Sequence, residues 1–436
     1  MELKQIKDRL AERHNIHKLN DMQMRMCADE SRRAILLAPT GSGKTVAFAI
    51  RLLRNLESSK GTIQAVVLAP SRELVIQIAD VIRPVAAGLK TVAFYGGHAM
   101  ADEENSLKAT PDIIVATPGR LLDHIRRGNL SVTSVGSLVI DEYDKMLELG
   151  FLDEMKRIVT RMKTLSLVVL TSATPLSEIP EFIPLKGAEI LDFSGKGPAG
   201  NLQTVRVTSP TKDKLDTLDA LLKALPNGRA LVFVNHRDAA ERVYDYLKNQ
   251  GFPVGLYHGG LEQRERQLAV DLLNNGTTPI VVTTDLGARG LDIDSVDYVI
   301  HYHTPLSAES WTHRNGRTAR MGASGTAYIL LSEEENIPEY VSYEREYFPK
   351  GASDNGIRSD VATLYINAGK KEKISRGDIA GYMMKAGGLS PSEVGKIVVT
   401  DHYSIVAVPR QKAGKLLAVL ADQKLKNTRV RISMLK

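Results

Sequence analysis

Cysteine is almost missing from this chain: Cys27 is the only one among 436 residues. One thiol cannot form an intrachain disulfide or supply a cysteine zinc site, so a reducing cytosol fits. Long apolar runs are missing too, and none approaches the roughly 20 residues of a membrane-spanning helix. The start, Met1-Glu-Leu-Lys-Gln-Ile-Lys-Asp-Arg-Leu10, is charged and amphipathic and has no signal-peptide core. A cytoplasmic protein with no membrane partner is the expectation. Nor is there a large excess of one charge: the net value is +6, a mild pull toward polyanions. That charge is unevenly placed, because residues 361–436 hold 14 Lys and Arg against 5 Asp and Glu, leaving the other 360 slightly acidic. A near-neutral body with a basic tail is the pattern of an enzyme with an attached nucleic-acid binder.

What is present is alternation. The length allows two to four domains. Up to about residue 205, strand-like runs at Ala34–Ala38, Ala65–Ala69, Thr91–Tyr95, Ile113–Ala116, Leu138–Ile140 and Ser166–Leu170 alternate with helical patterns. This predicts right-handed βαβ units and a parallel sheet, and consecutive apolar residues suit strands covered on both faces. Gly195-Lys-Gly-Pro-Ala-Gly200 reads as a linker. A second series at Ala230–Asn235, Val254–Tyr257, Ile280–Thr284, Tyr298–Tyr302 and Gly325–Leu331 predicts another α/β domain over residues 206–347. Glu333–Tyr347 begins a less regular connection, and residues 348–360 read as a linker. The last segment, 361–436, differs. Thr363–Asn367 reads as a strand, Ser375–Ala386 as a helix with Ser375 and Asp378 placed for a capping box, Ile397–Thr400 and Ser404–Val408 as paired strands, Lys412–Leu420 as a helix and Val430–Leu435 as a last strand. The order βαββαβ is that of a ferredoxin-like or RRM-like α+β domain.

Two stretches of the first domain carry chemistry. Ala38-Pro-Thr-Gly-Ser-Gly-Lys-Thr45 matches the second half of the phosphate-loop pattern, with Ala38 where the first glycine usually stands. Glycines let backbone N–H groups wrap a phosphate, and the helix beginning near Gly43 points its positive end there. Lys44 reaches toward the β and γ phosphates, and the Thr45 hydroxyl is a magnesium ligand. Asp141-Glu142-Tyr143-Asp144 ends the apolar run Leu138-Val-Ile140, at the mouth of a buried strand. Asp141 is assigned to magnesium and Glu142 to the attacking water. Charge developing on the γ phosphate needs further cations, which Arg317 and Arg320 of His313-Arg-Asn-Gly-Arg317-Thr-Ala-Arg320 offer, three apart on one helical face.

In order along residues 20–330, these stretches resemble the DEAD-box RNA helicases of superfamily 2. The resemblance implies two RecA-like domains, ATP and Mg2+ as ligands, and RNA-stimulated hydrolysis of ATP to ADP and phosphate. It makes Gln23 the adenine-reading glutamine, adds Thr40, Gly41, Ser42 and Gly43 to the ATP contacts, and gives Asp292 of Arg289-Gly-Leu-Asp292 the ribose. Pro70 and Arg72 of Pro70-Ser-Arg-Glu-Leu74, Gly97 of Gly96-Gly97, and Thr117 and Arg120 of Thr117-Pro-Gly-Arg120 resemble the first domain's RNA contacts. Gln263 and Arg266 of Gln263-Arg-Glu-Arg266 and Thr284 of Thr284-Asp285 resemble those of the second, beside Leu231-Val-Phe-Val-Asn235. Ser172-Ala-Thr174 resembles the motif coupling hydrolysis to strand separation, and Asp144 is expected to bond toward Ser172, Thr174 or His313. The chain departs from the family at Tyr143 (usually alanine), at Asn20-Asp21 (usually Thr-Pro) and at Asn315. Ile6 stands nearest the place of the upstream aromatic residue.

Residues 361–436 resemble the RNA-binding domain of DbpA-type helicases, through Lys373-Ile-Ser-Arg-Gly-Asp-Ile379, Gly387-Gly-Leu389, Val394-Gly-Lys-Ile397, His402-Tyr403 and Lys424-Leu-Lys426. This implies a hairpin of large-subunit ribosomal RNA as target, a pre-ribosomal particle as partner, and a monomer at work in ribosome assembly. The aromatic-rich third-strand motif of ordinary RRMs is lacking, so Lys371, Lys373, Arg376, Lys424, Lys426 and Arg429 become candidates for RNA phosphate contacts. Tyr403 and Tyr365 either stack on bases or pack structurally. His98 and His258 have no partners at ligand spacing and read as structural. Two functions stay open: a helicase that separates short duplexes locally when ATP and RNA close its domains, and a nucleotide-gated RNA clamp. A DNA translocase is disfavoured by motifs of the RNA type.

Overall fold

Short runs of consecutive apolar residues become strands buried on both faces, as such runs require. The computed structural model describes the chain apart from residues 40, 98–99, 176–178, 195–201, 286–292, 294, 320–322, 350–355, 422, 427 and 436, with backbone only at 101, 102 and 428. Two compact units divide it, one built mainly from residues 1–201 and one mainly from 202–436.

In the first unit, β1 (Arg33–Leu37), β2 (Ala65–Leu68), β3 (Thr91–Phe94), β4 (Ile113–Ala116), β5 (Ser137–Ile140), β6 (Leu167–Ser172) and β7 (Glu189–Asp192) form one sheet in the order β3-β4-β2-β5-β6-β1-β7. Its pairings are parallel. Alternate residues feed two cores: Ala65 and Val67 join Phe48, Ile78 and Ile82 from helices on one face, while Val66 and Leu68 join Leu121, Met146 and Ile158 on the other.

The second unit contains β8 (Leu202–Ser209), β9 (Ala230–Val234), β10 (Val254–Tyr257), β11 (Ile280–Thr284), β12 (Tyr298–His301), β13 (Gly325–Ser332) and β14 (Arg345–Tyr347), ordered β10-β11-β9-β12-β13-β8-β14 and again parallel. Counted within its own domain, each sheet has the order third, fourth, second, fifth, sixth, first, seventh. The second domain therefore repeats the topology of the first.

The sequence boundary at 205 is corrected: β8 starts at Leu202 and pairs along its length with β13 of the second sheet. Strands β7, β8 and β14 are additions; β7 and β14 are short and mostly exposed or half-buried, so neither leaves an apolar run to read. The linker expected at 195–200 lies outside the described residues, as do residues 350–355 of the linker expected at 348–360.

The last domain has β15 (Val361–Ile366), β16 (Ile397–Val399), β17 (Ser404–Pro409) and β20 (Ile432–Met434) in the antiparallel order β16-β17-β15-β20, with a small hairpin of β18 (Lys424–Leu425) and β19 (Thr428–Arg429) inserted before the final strand. Helices Arg376–Lys385 and Arg410–Leu420 cover one face over Leu364, Ile366, Met383 and Leu416. The capping box forms as expected: Ser375 Oγ accepts from Asp378 N–H and Asp378 accepts from Ser375 N–H.

The opposite face of this sheet rests on the second α/β domain. Thr363, whose neighbours Ala362 and Leu364 point into the core, is fully buried and bonds Asn275 Nδ2 at 2.9 Å and Thr277 Oγ1 at 2.7 Å. Ser359 Oγ donates to Gly276 O at 2.7 Å. Ile405 and Ala407, paired with Tyr365 and Thr363, are buried on that same side. Among the described residues no helix is long and apolar enough to cross a membrane.

Candidate active site and RNA track

Apart from the Gln23 helix, the motifs of the first unit stand at the carboxyl ends of strands, the edge where open α/β sheets hold ligands. β1 stops at Leu37, and a loop leads into the helix Lys44–Arg54. Gly41 and Gly43 have φ of 79° and 90°, the left-handed region that glycine occupies without strain. A Cβ at Gly43 would also lie 2.6 Å from Gln23 Nε2. Ser42 lies between them, and Thr45 follows Lys44 in the first helical turn. Lys44 is buried and donates Nζ to Ala38 O at 2.6 Å. Thr40 lies outside the described residues.

The helix Asp21–Ala28 is laid against this loop. Asn20 Oδ1 accepts from Gln23 N–H (2.9 Å) and Gln23 Oε1 from Asn20 N–H (3.0 Å), a complete capping box. Asn20 Nδ2 donates to Ser42 O and Gln23 Nε2 to Gly43 O. A buried Arg51–Asp29 ion pair joins the end of this helix to the phosphate-loop helix. Asn20, a departure from the family pattern, thus supplies the cap itself. Ile6 is buried in the apolar cluster containing Met22 and Met26.

Asp141 is 2% exposed, and its Oδ1 accepts from Thr171 Oγ1 and from Glu142 N–H. Burial pushes its carboxyl above the ordinary carboxylate range, against the pull of the Lys44 charge and the Thr171 hydrogen bond. A buried acid facing a deficit of positive charge, with the Thr45 hydroxyl on the phosphate-loop helix, is the hard-oxygen donor set that magnesium takes, so these residues fit that ion. Glu142 is left-handed at φ 48°, with its N–H shared between Asp141 Oδ1 and Thr171 Oγ1. Strain of this kind persists where the surroundings enforce it, commonly at functional positions.

Asp144 Oδ2 accepts from Thr174 Oγ1 at 3.1 Å, and Ser172 Oγ donates to Thr174 O at 2.7 Å. Of the partners expected for Asp144, Thr174 makes this bond and Ser172 stands one step behind it; His313 belongs to the other unit. Tyr143 is fully buried beside Leu138, Ile140 and Met146, and its hydroxyl has no hydrogen-bond partner among the described residues. Burial lifts the phenol to about 12.

Contacts link the first unit's RNA candidates. Pro70 is buried just beyond β2, and the Ser71 side chain caps the helix Arg72–Val85. The Arg72 guanidinium sits 4.7 Å from the Tyr95 ring centroid. Gly97, at φ 94°, approaches so closely that a Cβ there would stand 2.8 Å from Arg72 Nη1. Thr117 precedes the helix Pro118–Arg126 and donates its N–H to Phe94 O. Arg120 Nε donates to Glu103 Oε2 at 2.6 Å. His98 lies outside the described residues.

In the second unit Arg314 is the organising side chain. It is 1% exposed and donates to both Asp285 carboxylate oxygens (2.6 and 2.7 Å), to Asn235 Oδ1 and to His303 O. It therefore pins Thr284-Asp285 to Asn235, with Thr284 buried. Sequence reading passed over it, although it stands in the same arginine-rich motif as Arg317.

The expectation that Arg317 and Arg320 share a helical face is corrected. The helix Ala308–Asn315 stops at Gly316, the Arg317 N–H turns back to Arg314 O, and Thr318 bridges to Val296, so Arg317 lies in a turn. Arg320 and Asp292 lie outside the described residues. Asn315 has a local partner: its Oδ1 meets His301 Nε2 at 2.9 Å, and that ring stacks on Trp311. Gln263 and Arg266 open the helix Gln263–Asn274, with Arg266 Nη2 donating to Gln263 Oε1. His258 Nδ1 accepts from Gly260 N–H, a local structural bond.

In the last domain, Lys426 Nζ donates to Lys373 O and to Asp378 Oδ2, both at 3.2 Å. Arg376 begins the helix whose capping box holds Asp378. Lys373, Arg376 and Lys426 thus gather at one helix N-terminus, with Lys424 two residues before Lys426. Tyr403 is elsewhere. It stacks on Tyr365 (5.4 Å between centroids), and the guanidinium of Arg264, from the helix Gln263–Asn274, lies 4.9 Å from its ring.

A phosphate loop and an acidic strand end on one parallel sheet, followed by a second sheet of identical order, define a two-domain nucleotide-driven enzyme of the helicase class. Comparison with known proteins narrows this. Residues 20–182 match the DEAD/DEAH box helicase family, 213–322 the helicase conserved C-terminal domain and 363–434 the DbpA RNA binding domain. The chain is 34% identical over 417 residues to the ATP-dependent RNA helicase DbpA of Escherichia coli (strain K12), covering 92% of this chain and 90% of that one. It is 28% identical over 445 residues to DbpA of Bacillus subtilis (strain 168), covering 93% and 91%. Among solved structures, S. cerevisiae Dbp5 bound to RNA and ADP BeF3 superposes with a TM-score of 0.67 at 25% identity, over 76% of this chain and 88% of that one. The chain belongs to the DEAD-box ATP-dependent RNA helicases and carries a DbpA-type RNA-binding domain.

Proposed function

We propose that this RNA helicase remodels structured RNA of the large ribosomal subunit during assembly, separating short duplexes locally. The observation that carries this reading is the gathering of Lys373, Arg376 and Lys426 at one helix end of a DbpA-type domain. Clustered cations of this sort grip the phosphates of a folded RNA. The opposite face of the sheet, where Tyr403 lies, is engaged with Arg264 and the second helicase domain.

In this reading the N–H groups of the loop from Thr40 to Gly43 and the Lys44 ammonium hold the ATP phosphates, Gln23 reads adenine and Asp292 the ribose. Thr45 and Asp141 hold magnesium, which when bound neutralises charge on the phosphates. Glu142 orients or deprotonates the attacking water, and Arg317 and Arg320 stabilise charge on the γ phosphate once RNA and ATP close the domains. The chain Asp144–Thr174–Ser172, with His313, couples that closure to RNA held by Pro70, Arg72, Gly97, Thr117, Arg120, Gln263, Arg266 and Thr284. The protein works as a cytoplasmic monomer on pre-ribosomal particles.

The test compares large-subunit ribosomal RNA fragments with unrelated structured RNA of equal length, scoring binding and ATPase stimulation. The parent protein prefers the ribosomal fragment by about tenfold or more, and a variant combining Lys373→Ala, Arg376→Ala and Lys426→Ala loses the preference while generic RNA still stimulates it. No preference in the parent overturns the ribosomal assignment. Duplex displacement with ATP against a non-hydrolysable analogue tests the strand separation.

A further inference from the structure

Glu103 is a buried carboxylate, 4% exposed, on the helix Met100–Ser106, outside the motifs assigned above. Three donors converge on it. Oε2 accepts from Arg120 Nε at 2.6 Å and from His124 Nε2 at 2.7 Å, and Oε1 accepts from Tyr95 N–H at 3.1 Å. Two of these donors lead to the RNA track. Arg120 is a member of it, the Tyr95 ring lies beneath the Arg72 guanidinium, and Gly97 follows Tyr95 by two residues against Arg72.

His124 is completely buried, with its ring packed 4.4 Å from that of Phe94. Its tautomer is set by its surroundings. Asn129 Nδ2 stands 3.2 Å from His124 Nδ1 and 3.2 Å from Glu104 Oε1. The Glu104 carboxylate only accepts, so it is the NH2 group of Asn129 that faces both atoms. Nδ1 therefore accepts, and the ring proton sits on Nε2, aimed at Glu103. Burial works against the Glu103 charge, but the bonds from His124, Arg120 and Tyr95 outweigh it and hold the carboxyl below its ordinary range. The group is anionic at neutral pH, and a charge-assisted bond to Arg120 is correspondingly strong and directional.

We propose that Glu103 and His124 are positioning residues for RNA binding: neutral His124 orients the Glu103 carboxylate, which fixes Arg120 directly and Arg72 through Tyr95. The inference rests on the RNA track proposed above. It explains why a fully buried histidine and a buried acid stand behind surface motifs that touch phosphate. A guanidinium on a long side chain loses rotamer freedom when it grips RNA, and pre-ordering it removes that cost from binding.

The test measures how ATP hydrolysis by the full chain depends on a single-stranded RNA oligonucleotide, with direct binding by fluorescence anisotropy. Glu103→Ala raises the RNA concentration for half-stimulation about tenfold, while the KM for ATP and the rate without RNA stay within about twofold. His124→Phe keeps the packing on Phe94 and removes the donor, and raises it about threefold. Glu103→Gln, with one acceptor oxygen and no charge, falls between parent and Glu103→Ala. Arg120→Ala separates the two readings. If it weakens RNA binding while the Glu103 and His124 variants match the parent, the positioning role is overturned and the track stands. If it leaves RNA binding intact, the track falls and this inference with it. Should Glu103→Ala fail to fold, His124→Phe decides: a raised RNA requirement at constant ATP KM supports the role, and no change or a joint change overturns it.

Discussion

Asn20 and Gln23 exchange two hydrogen bonds, and Gln23 then rests its amide on the carbonyl of Gly43. One short helix is thereby capped and joined to the phosphate loop by the same two side chains. Both ends of the Gln23 amide are engaged within the protein, so in the proposed reading, where Gln23 meets adenine, nucleotide binding exchanges bonds that also hold the loop.

Gly43→Ala tests that joint. The added methyl meets Gln23 Nε2 at 2.6 Å on a backbone at φ 90°, so loop and glutamine have to separate. We expect the KM for ATP to rise at least about tenfold and the first domain to lose roughly 1–2 kcal/mol. Asn20→Ala is milder: loss of the cap costs about 1 kcal/mol, and Asn20→Ser restores most of it. Chemical denaturation and ATP titration read both.

Glu142→Gln tests the strained residue at the end of β5. It keeps the size and the backbone bonds to Asp141 and Thr171 but removes the carboxylate. RNA-stimulated hydrolysis falls by about a hundredfold or more, while RNA affinity in the presence of ATP is kept or increased. Equal turnover in parent and variant would remove Glu142 from its role with the attacking water.

Tyr143→Phe addresses the departure inside the acidic motif. The hydroxyl is buried without a partner among the described residues, and leaving a buried donor unpaired costs about 1–3 kcal/mol. Removing it should raise the thermal midpoint or leave it unchanged, with turnover within about twofold of the parent. A marked loss of hydrolysis would instead place the phenol in the reaction.

Sequence carried the strand-end motifs well, because each is a buried apolar run followed at once by polar or glycine residues. Lys44, Asp141 and Thr284 all stand where that pattern puts them. It carried less where structure comes from partners distant in sequence. Strand β7 has a single buried residue, and β8 was divided between two domains because its membership depends on pairing with β13, more than a hundred residues later. Arg317 was placed on a helix because the motif has helical spacing; Gly316 and the Val296–Thr318 bridge end that helix early. The Glu103 site was invisible for the same reason: Tyr95, Glu103, Arg120 and His124 meet only after the sheet has formed.

The Asn315–His301 pair gives a pH prediction. Burial first, then the charge of Arg314, lower the His301 imidazole to about 3, and burial followed by Lys214 lowers His303 to about 4. In the unfolded chain both titrate near 6.5. Above that value neither state takes up these protons, so the stability from neutral imidazoles is fully present. As pH falls below about 6.5 the unfolded chain binds protons that the folded domain refuses, and stability drops by up to about 1.4 kcal/mol per pH unit for each ring. The loss from His303 levels off near pH 4 and that from His301 near pH 3. Trp311, the only tryptophan of the chain, stacks on His301, so its fluorescence follows unfolding of this domain directly. Urea midpoints between pH 7.5 and 5 should fall steeply in the parent and about half as steeply in His301→Gln, where only His303 remains to take up the difference. An unchanged slope in that variant would mean that His301 is not held neutral by the fold.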